Sequence, residues 1–156
     1  WELNERHYGE LTGLNKIEMG KKLGEDKVFQ FRRSWNLRPG PLDKKSQFHP
    51  LNIDSYKDIP IENIPDTESL KDTYDRVINY FKLKIESNLK KGNVLISAHG
   101  NSIRALCKYF FKLDENQITR LEIPTGNPLL INIDESQKIK NCRYLDQDRS
   151  KDLLVF

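Results

Sequence analysis

The sequence predicts an α/β fold, in which helices cover a sheet, and three observations carry this prediction. A short aliphatic run at 94–96 is typical of a strand, and an amphipathic helix pattern follows it after the polar turn 99–102. The largely apolar run 129–133 is typical of a strand covered on both faces. The whole chain holds four or five helical segments but only about three strands. A helix-covered sheet usually contains more strands, so we expect further strands outside these residues.

Two helices are predicted in the first part of the chain, after an irregular loop at 1–16 that is punctuated by glycines. The first helix covers 15–23, with Ile17 facing inward, and the second covers about 26–35. Residues 36–64 contain four prolines and no sustained periodicity. A stretch of this length without regular structure is typical of a functional lid or a flexible excursion.

The clearest helix pattern opens at Pro65-Asp66-Thr67, with Glu68 suited to the first turn, and its apolar stripe continues to Leu89. Further on, Asp114 is placed to cap a short helix. Residues 139–144 are predicted to form another strand, antiparallel and at the edge of the sheet.

Composition excludes several classes of function. The chain of 156 residues is one domain's worth, 37% hydrophobic, with a mean hydropathy of −0.72 and a net charge of +3. Its basic and acidic residues are mixed along the chain, so we expect no nucleic-acid partner. Two cysteines form neither a disulfide framework nor a metal-ligand pattern. No Walker loop, GxGxxG motif or long apolar run is present, so we expect no metal, no nucleotide and no membrane span, with the cytoplasm as default location.

The turn between the 94–96 strand and its helix is the strongest candidate site. A helix entered this way presents unpaired backbone N–H groups and the positive end of its dipole, which suits an anion. His99 stands at this helix end, where ligands commonly meet α/β sheets. A turn histidine that satisfies its own backbone is the structural alternative, and geometry alone leaves both interpretations open.

Several motifs resemble one family in order and spacing. The segment Ala98-His99-Gly100-Asn101-Ser102-Ile103-Arg104-Ala105-Leu106 resembles the second histidine motif of the phosphoglycerate mutases that depend on 2,3-bisphosphoglycerate. Residues Asn4-Glu5-Arg6-His7-Tyr8-Gly9, followed by Gly13-Leu14-Asn15-Lys16, resemble the second signature of that family. Arg32-Arg33, Thr67-Glu68-Ser69-Leu70 and Pro124-Thr125-Gly126 also fall in the family's order. The similarity runs from residue 1 to about residue 145.

The resemblance implies a fold and an activity. The fold would be a three-layer sandwich with a mostly parallel sheet and an antiparallel edge strand. The enzyme would be an isomerase of glycolysis and gluconeogenesis that interconverts 3-phosphoglycerate and 2-phosphoglycerate through a phosphohistidine. Its phosphoryl donor would be 2,3-bisphosphoglycerate, no metal would be needed, and the chain would assemble as a homo-oligomer, a dimer or a tetramer.

The resemblance also assigns roles residue by residue. Glu5 would transfer the proton of the substrate hydroxyl, and His99 would stabilise the transferring phosphoryl group. The residues implied to bind the small phosphorylated acid are Arg6, His7, Tyr8, Lys16, Arg32, Arg33, Gly100 and Asn101.

From the residues alone, structural alternatives remain for several of these. Glu5 can pair with its neighbour Arg6, and Arg33 can be a solvated charge that complements its helix dipole. His7 taken by itself is more typical of a structural residue. His49 matches no motif and is interpreted as a loop histidine.

One departure from the family concerns its nucleophile. The family begins with a strand that ends in Arg-His-Gly, and no such triplet occurs here, where the first residue is Trp1. We therefore expect residues 1–156 to be a single mutase-like domain without its N-terminal strand and helix segment, inactive as a fragment. Two other hypotheses are a histidine-type phosphomonoesterase and an inactive fragment that only binds small phosphorylated acids. The Glu5-Arg6-His7-Tyr8 loop favours the mutase, because plain phosphatases tend to lack that acid-recognising set.

Overall fold

The computed structural model describes residues 1–151 and residue 153, with the side chains of Lys16 and Lys22 outside the description. Its helices and strands are α1 (Lys16–Leu23), α2 (Glu25–Arg33), α3 (Leu70–Tyr80), α4 (Gly100–Phe111), α5 (Glu115–Arg120), β1 (Leu129–Ile133) and β2 (Ile139–Tyr144). Short 3-10 turns lie at Gly9–Leu11, Pro50–Asn52, Asp54–Tyr56, Ile61–Asn63 and Asp148–Ser150.

The described fold is rich in helix and carries a small antiparallel sheet of two strands. β1 pairs with β2 from Leu129 opposite Tyr144 to Ile133 opposite Ile139, with a bulge near Asn132. The antiparallel strand predicted at 139–144 is thus confirmed, whereas the mostly parallel three-layer sheet is not. β1 also departs from the prediction of burial on both faces, because its side chains alternate between half-buried and exposed.

The segment predicted as a strand at 94–96 has no strand partner among the residues that the structure describes. Among the described residues, none donates or accepts a backbone hydrogen bond with residues 94–98. Leu95 is 91% exposed, although its neighbours Val94 and Ile96 are half-buried. A strand needs a hydrogen-bonded neighbour as well as an apolar sequence, and this one lacks that neighbour within the described chain.

Two helices, α3 and α4, pack together and carry the largest part of the core. Val77, Ile78 and Phe81 meet Ala105 and Leu106 in one buried cluster. The start of α3 differs from the prediction, because Ser69 is the N-cap and forms a capping box with Asp72. Glu68 therefore precedes the helix. After Tyr80 the helix continues through a π-helical turn, Phe81–Ile85, and a 3-10 turn, Glu86–Lys90, before it ends near Gly92.

A second buried cluster joins α4 to α5 and contains Cys107, Ile118 and Leu121. Burial in this cluster raises the pKa of the Cys107 thiol to about 12. Asp114 caps α5 through a capping box with Gln117, as predicted.

A third cluster packs α1 against α2 through Met19, Val28 and Phe31. The inward position predicted for Ile17 is wrong, because this side chain is 69% exposed and Met19 is buried instead. The helix itself begins one residue later than predicted, after Asn15, whose side chain accepts a hydrogen bond from the backbone N–H of Ile17.

Residues 36–64 are anchored to the rest of the chain at several points. Arg38 donates two hydrogen bonds to Asp72, and the Leu42 N–H donates to the Asp66 carbonyl at 2.9 Å. His49 is fully buried, with its Nε2 3.0 Å from the Asp66 carboxylate. The loop interpretation of His49 thus gains a structural basis. None of the helices within the described residues is long and apolar enough to cross a membrane.

Candidate active site

The N-terminus of α4 is the centre of the site. His99 is its N-cap residue in extended conformation, and its carbonyl accepts the Ile103 N–H at 3.0 Å. Its side chain makes no capping bond, so the first backbone N–H groups of α4 remain available to an acceptor from elsewhere. Gly100 opens the helix without a side chain in the way, and Asn101 follows as a buried polar residue.

Glu5 supplies that acceptor. Its Oε1 accepts hydrogen bonds from the Asn101 Nδ2 at 2.6 Å and from the Arg6 backbone N–H at 2.8 Å. Its Oε2 lies 3.5 Å from the Asn101 backbone nitrogen, at the positive end of the α4 dipole. The structural alternative, an ion pair between Glu5 and the Arg6 guanidinium, is not formed in the described chain. A half-buried carboxylate held in this way can accept a proton from a hydroxyl group placed beside it.

The backbone of the Glu5 segment is fixed by a buried ion pair beneath it. Arg76 Nε lies 2.7 Å from Glu68 Oε1, and the two side chains are 14% and 5% exposed. The remaining Arg76 donors bind the carbonyls of Glu2, Asn4 and Glu5 at 2.6, 3.0 and 3.2 Å. Arg76 therefore satisfies three loop carbonyls that no regular structure pairs.

From the other side, α4 contributes a second anchor for this segment. The Ser102 hydroxyl lies within hydrogen-bond distance of the carbonyls of Leu3 and Asn4, at 3.0 and 2.8 Å. Because Ser102 is fully buried, these contacts fix the segment against the first turn of α4.

Arg6 is a structural cation in this conformation. It is 2% exposed, and it donates to the carbonyls of Glu68, Phe31 and Leu37, which lie in three separate parts of the chain. Burial lowers the pKa of Arg6, and nearby Tyr8, Glu68 and Glu5 oppose that shift. One terminal nitrogen, Nη1, is buried without a hydrogen-bond partner among the described residues.

The Tyr8 ring contacts two guanidinium groups. Arg6 and Arg32 stand over its ring at 5.2 and 5.5 Å from the centroid, and its hydroxyl accepts from the Asn101 Nδ2 at 2.9 Å. The N–H groups of Arg32 have no hydrogen-bond acceptor among the described residues, so this half-buried cation is available to an anion.

The adjacent arginines of α2 diverge. Arg33 pairs with the Glu122 carboxylate and lies 3.4 Å from the Leu121 carbonyl, whereas Arg32 turns toward Tyr8. The structure thus joins Arg32 by contact to the group around Glu5 and directs Arg33 to the segment that follows α5.

Two further predicted residues have different outcomes. His7 donates its backbone N–H to Glu68 at 2.8 Å and accepts the Gly9 N–H on Nδ1 at 3.0 Å. Burial lowers the pKa of His7, and its Nε2 is buried without a partner in the described chain. The Lys16 side chain lies outside the described part of the structure, so its predicted role has no structural account.

His99 lies outside the contacts that join Glu5, Tyr8 and Asn101. Its imidazole is exposed and lines an open pocket of about 350 Å³, together with Trp1, Asn4, Tyr80 and Ser97. It makes no hydrogen bond or ion pair with any residue that the structure describes. Among those residues, no group of three or more His, Cys, Asp or Glu side chains is arranged to hold a metal ion.

The structure therefore joins Glu5, Tyr8, Asn101 and Arg32 in one contact network, with His99 next to it along the chain. The sequence predicted no role for Arg76 or Arg104, although both residues support this network. A signal existed for Arg104, because it lies three residues after Asn101 on one helix face. For Arg76, contacts with residues more than 70 positions away leave no local signal.

Comparisons with known proteins identify the family of this chain. The model of the histidine phosphatase superfamily (branch 1) matches residues 42–143. A protein of Pelagibacter ubique (strain HTCC1062) named 2,3-bisphosphoglycerate-dependent phosphoglycerate mutase is 69% identical over 157 residues, which cover 100% of this chain and 66% of that protein. Proteins of the same name from Hyphomonas neptunium (strain ATCC 15444) and Hydrogenobaculum sp. (strain Y04AAS1) are 51% and 46% identical, over 98% and 96% of this chain.

The chain spans 66%, 64% and 61% of the length of these three relatives. Both the superfamily match and the whole-chain similarity confirm the family that the histidine motif predicted. This chain belongs to the histidine phosphatase superfamily.

Proposed function

We propose that the complete protein is a 2,3-bisphosphoglycerate-dependent phosphoglycerate mutase, which interconverts 3-phosphoglycerate and 2-phosphoglycerate. The observation that carries the proposal is the Glu5 carboxylate at the N-terminus of α4, held by Asn101 and adjoined by Tyr8. A base next to anion-binding groups is what phosphoryl transfer to and from a substrate alcohol requires. The names of the relatives support the same reaction.

Each residue then has a role in the reaction. Glu5 accepts the proton of the attacking hydroxyl group and returns it to the oxygen that leaves. Arg32 and the Tyr8 hydroxyl bind the negative groups of the acid, and the first N–H groups of α4 add donors at the same place. His99 donates a hydrogen bond to the equatorial phosphoryl oxygens as their charge develops.

The residues present fit 2,3-bisphosphoglycerate, because Arg32 has unused N–H donors and stands over Tyr8 beside the α4 N-terminus. These are the groups that hold phosphate and carboxylate oxygens in proteins. Arg32, Tyr8, Gly100 and Asn101 would hold the compound, with Arg6, His7, Lys16 and Arg33 as further candidates by family resemblance. When bound, it supplies the phosphoryl group that primes the enzyme.

The finer fold belongs to the same proposal. Residues 94–98 would form a strand of a mostly parallel sheet in a three-layer sandwich, with an antiparallel strand at the edge. The 91% exposure of Leu95, between the half-buried Val94 and Ile96, supports this, since it suits a segment whose exposed face is covered in the complete protein. Family resemblance further supports a homo-oligomer and a cytoplasmic location. The length of the largely irregular segment 36–64 is the ground for its proposed role as a lid.

The test compares Glu5→Gln with the wild type in the complete protein. The neutral amide keeps the shape of the side chain but cannot accept the proton, so kcat for 3-phosphoglycerate should fall about 10³-fold. The Kd for 3-phosphoglycerate, measured by calorimetry, should stay within about threefold of the wild-type value. A kcat for Glu5→Gln equal to the wild-type value would show that Glu5 does not transfer the proton and would contradict the proposed mutase function.

A control separates the mutase from a phosphomonoesterase, the other activity expected within this superfamily. Hydrolysis of a generic phosphate ester, with no requirement for 2,3-bisphosphoglycerate, would favour the phosphatase. Binding of 3-phosphoglycerate without turnover would favour a passive anion binder.

A further inference from the structure

Arg104 is a buried cation that no carboxylate neutralises by direct contact within the described residues. It is 4% exposed, its Nη1 donates to the Asn101 Oδ1 at 2.9 Å, and its Nη2 donates to the Ile118 carbonyl. Burial lowers the pKa of Arg104 to about 10, and the nearby Arg33 contributes, but the group remains charged at neutral pH. A buried charge without an ionic partner is costly unless hydrogen bonds replace its lost hydration, so the contacts that Arg104 makes are strongly directional.

The chemistry of the two side chains fixes the direction of their contact. An arginine has five N–H donors and no acceptor, whereas an asparagine amide presents an oxygen at one end and an NH2 group at the other. The amide oxygen of Asn101 must therefore face Arg104, which turns the NH2 group toward Glu5 and Tyr8. The observed contacts, 2.6 Å to Glu5 Oε1 and 2.9 Å to the Tyr8 hydroxyl, have this arrangement.

Both acceptors depend on that direction. If the amide were turned by 180°, its oxygen would face the Glu5 carboxylate, and two acceptors would repel each other. The Tyr8 hydroxyl oxygen receives a hydrogen bond from Asn101, so its own hydrogen is available to a different acceptor.

We propose that Arg104 is a positioning residue, which fixes the direction of the Asn101 amide and so sets Glu5 as a proton acceptor and Tyr8 as a donor toward substrate. The catalytic part of this inference rests on the proposed mutase function. The direction of the amide itself does not.

A double-mutant cycle in the complete protein tests the inference. Arg104→Met should lower kcat about 100-fold, because misplacing a catalytic group by about 1 Å has effects of this size, while KM stays within about threefold. Asn101→Ala should lower kcat to a similar extent. If Arg104 acts through Asn101, the double variant should match Asn101→Ala within about twofold. Two results would overturn the proposal: a double variant whose fold loss of kcat equals the product of the two single losses, or an Arg104→Met variant with the kcat of the wild type.

A measurement without substrate separates this inference from the proposed function. The side-chain NH2 resonances of Asn101, assigned by their loss in Asn101→Ala, should be shifted and protected from hydrogen exchange in the wild type. In Arg104→Met they should move to the positions of exposed amides. If they do so in a protein without mutase activity, the positioning role stands and the proposed function fails. If activity is present and the resonances do not move, the positioning role fails.

Two further variants guard against simple loss of the fold. In Arg104→Lys, the lysine ammonium still carries N–H donors and no acceptor atom, as arginine does. This variant should therefore retain the Asn101 resonances and at least a tenth of wild-type kcat. Loss of both in a folded protein would contradict the proposal. Lys108→Met, on the same helix, removes the contacts of Lys108 with the Leu113 carbonyl and the Trp35 ring and should leave kcat unchanged within about twofold. An equal loss of kcat in this control would assign the effect of Arg104→Met to general damage of α4.

Discussion

The two catalytic candidates lie in regions that are built in different ways. Glu5 lies on a segment whose carbonyls are bound by Arg76 and Ser102, and its carboxylate is bound by Asn101. His99 follows a segment, 94–98, without hydrogen bonds to the described residues, and its imidazole is exposed and unpartnered there. Contacts within this chain therefore preorganise Glu5, the proposed proton-transfer residue. His99, the proposed phosphoryl-stabilising residue, has no such support among the described residues.

This difference matters because a catalytic group acts best when its supporting contacts hold it in place before substrate arrives. For Glu5, those contacts come from α3 and α4, which also form the largest core cluster. Substitutions in this support should therefore change both stability and rate. Substitutions at His99 should change the rate alone.

The largest effect on stability is expected for Arg76→Met. The substitution leaves Glu68 buried without its cation and the carbonyls of Glu2 and Glu5 without a donor, so the free energy of unfolding should fall by about 3–5 kcal/mol. Urea unfolding of the complete protein measures this loss. Because the same change releases the Glu5 segment, mutase activity should fall with it.

Two controls sharpen the result. The double variant Arg76→Met, Glu68→Met should recover part of the loss, because no buried charge is then left unpaired. Lys71→Met removes an exposed pair with Asp75 on the same helix, with side chains 51% and 55% exposed, and should cost less than about 0.5 kcal/mol. Equal losses for Arg76→Met and Lys71→Met would mean that the Glu5 segment is not held by the buried pair.

The next effect concerns rate alone and comes from His99→Ala. Removal of one donor to a charged transition state should lower kcat by about 10²–10³-fold. The free energy of unfolding should change by less than about 0.5 kcal/mol, because the imidazole is exposed and has no partner in the described chain. Stopped-flow kinetics and urea unfolding on one preparation measure both quantities.

Ser97→Ala is the matched control for His99, since Ser97 is exposed and lines the same open pocket. It should leave both rate and stability close to the wild type. A loss of stability well above 1 kcal/mol for His99→Ala would show instead a structural histidine, and the contrast between the two regions would disappear.

The same contrast explains how far the sequence could predict the structure. Patterns within a single helix were reliable. The apolar face of α4 and the Asp114 cap of α5 predicted these two helices correctly. The direction of an amide or of a guanidinium depends on partners brought together by the fold, and for this reason Arg104 and Arg76 received no role. Ile17 and Met19 show the same limit in α1, because either is apolar enough for the core and the packing of α2 decides between them.

Non-local pairing limited the prediction of the sheet most. Residues 94–96 and 129–133 have similar apolar character, yet only the second segment finds a partner within the described chain. That partner is β2, which begins at Ile139, directly after the turn that follows Ile133. A hairpin partner is signalled locally by Asp134 and the residues after it, whereas the partner of a parallel strand is not. The candidate site residues came from the family resemblance for a related reason, since the roles proposed for Glu5 and Arg32 have no local signature.

The smallest effect is a pH dependence of stability in the Glu5 region, and it comes from His7. Burial lowers the pKa of His7 below its ordinary value of 6.5, and His49 adds to this shift, whereas Glu68 and Asp66 oppose it. As the pH falls below about 6.5, His7 is protonated in the unfolded chain before it is protonated in the folded chain. Protonation therefore favours the unfolded state, and the free energy of unfolding should decrease as the pH falls below that value. His7→Asn keeps an acceptor for the Gly9 N–H but cannot be protonated, and its stability should depend less on pH across this range.

Urea unfolding at pH 7.5 and 5.5 measures the difference, which should be a fraction of the loss expected for Arg76→Met. An identical pH dependence in both proteins would mean that His7 is open to solvent, and the tightly held region around Glu5 would then end before residue 7.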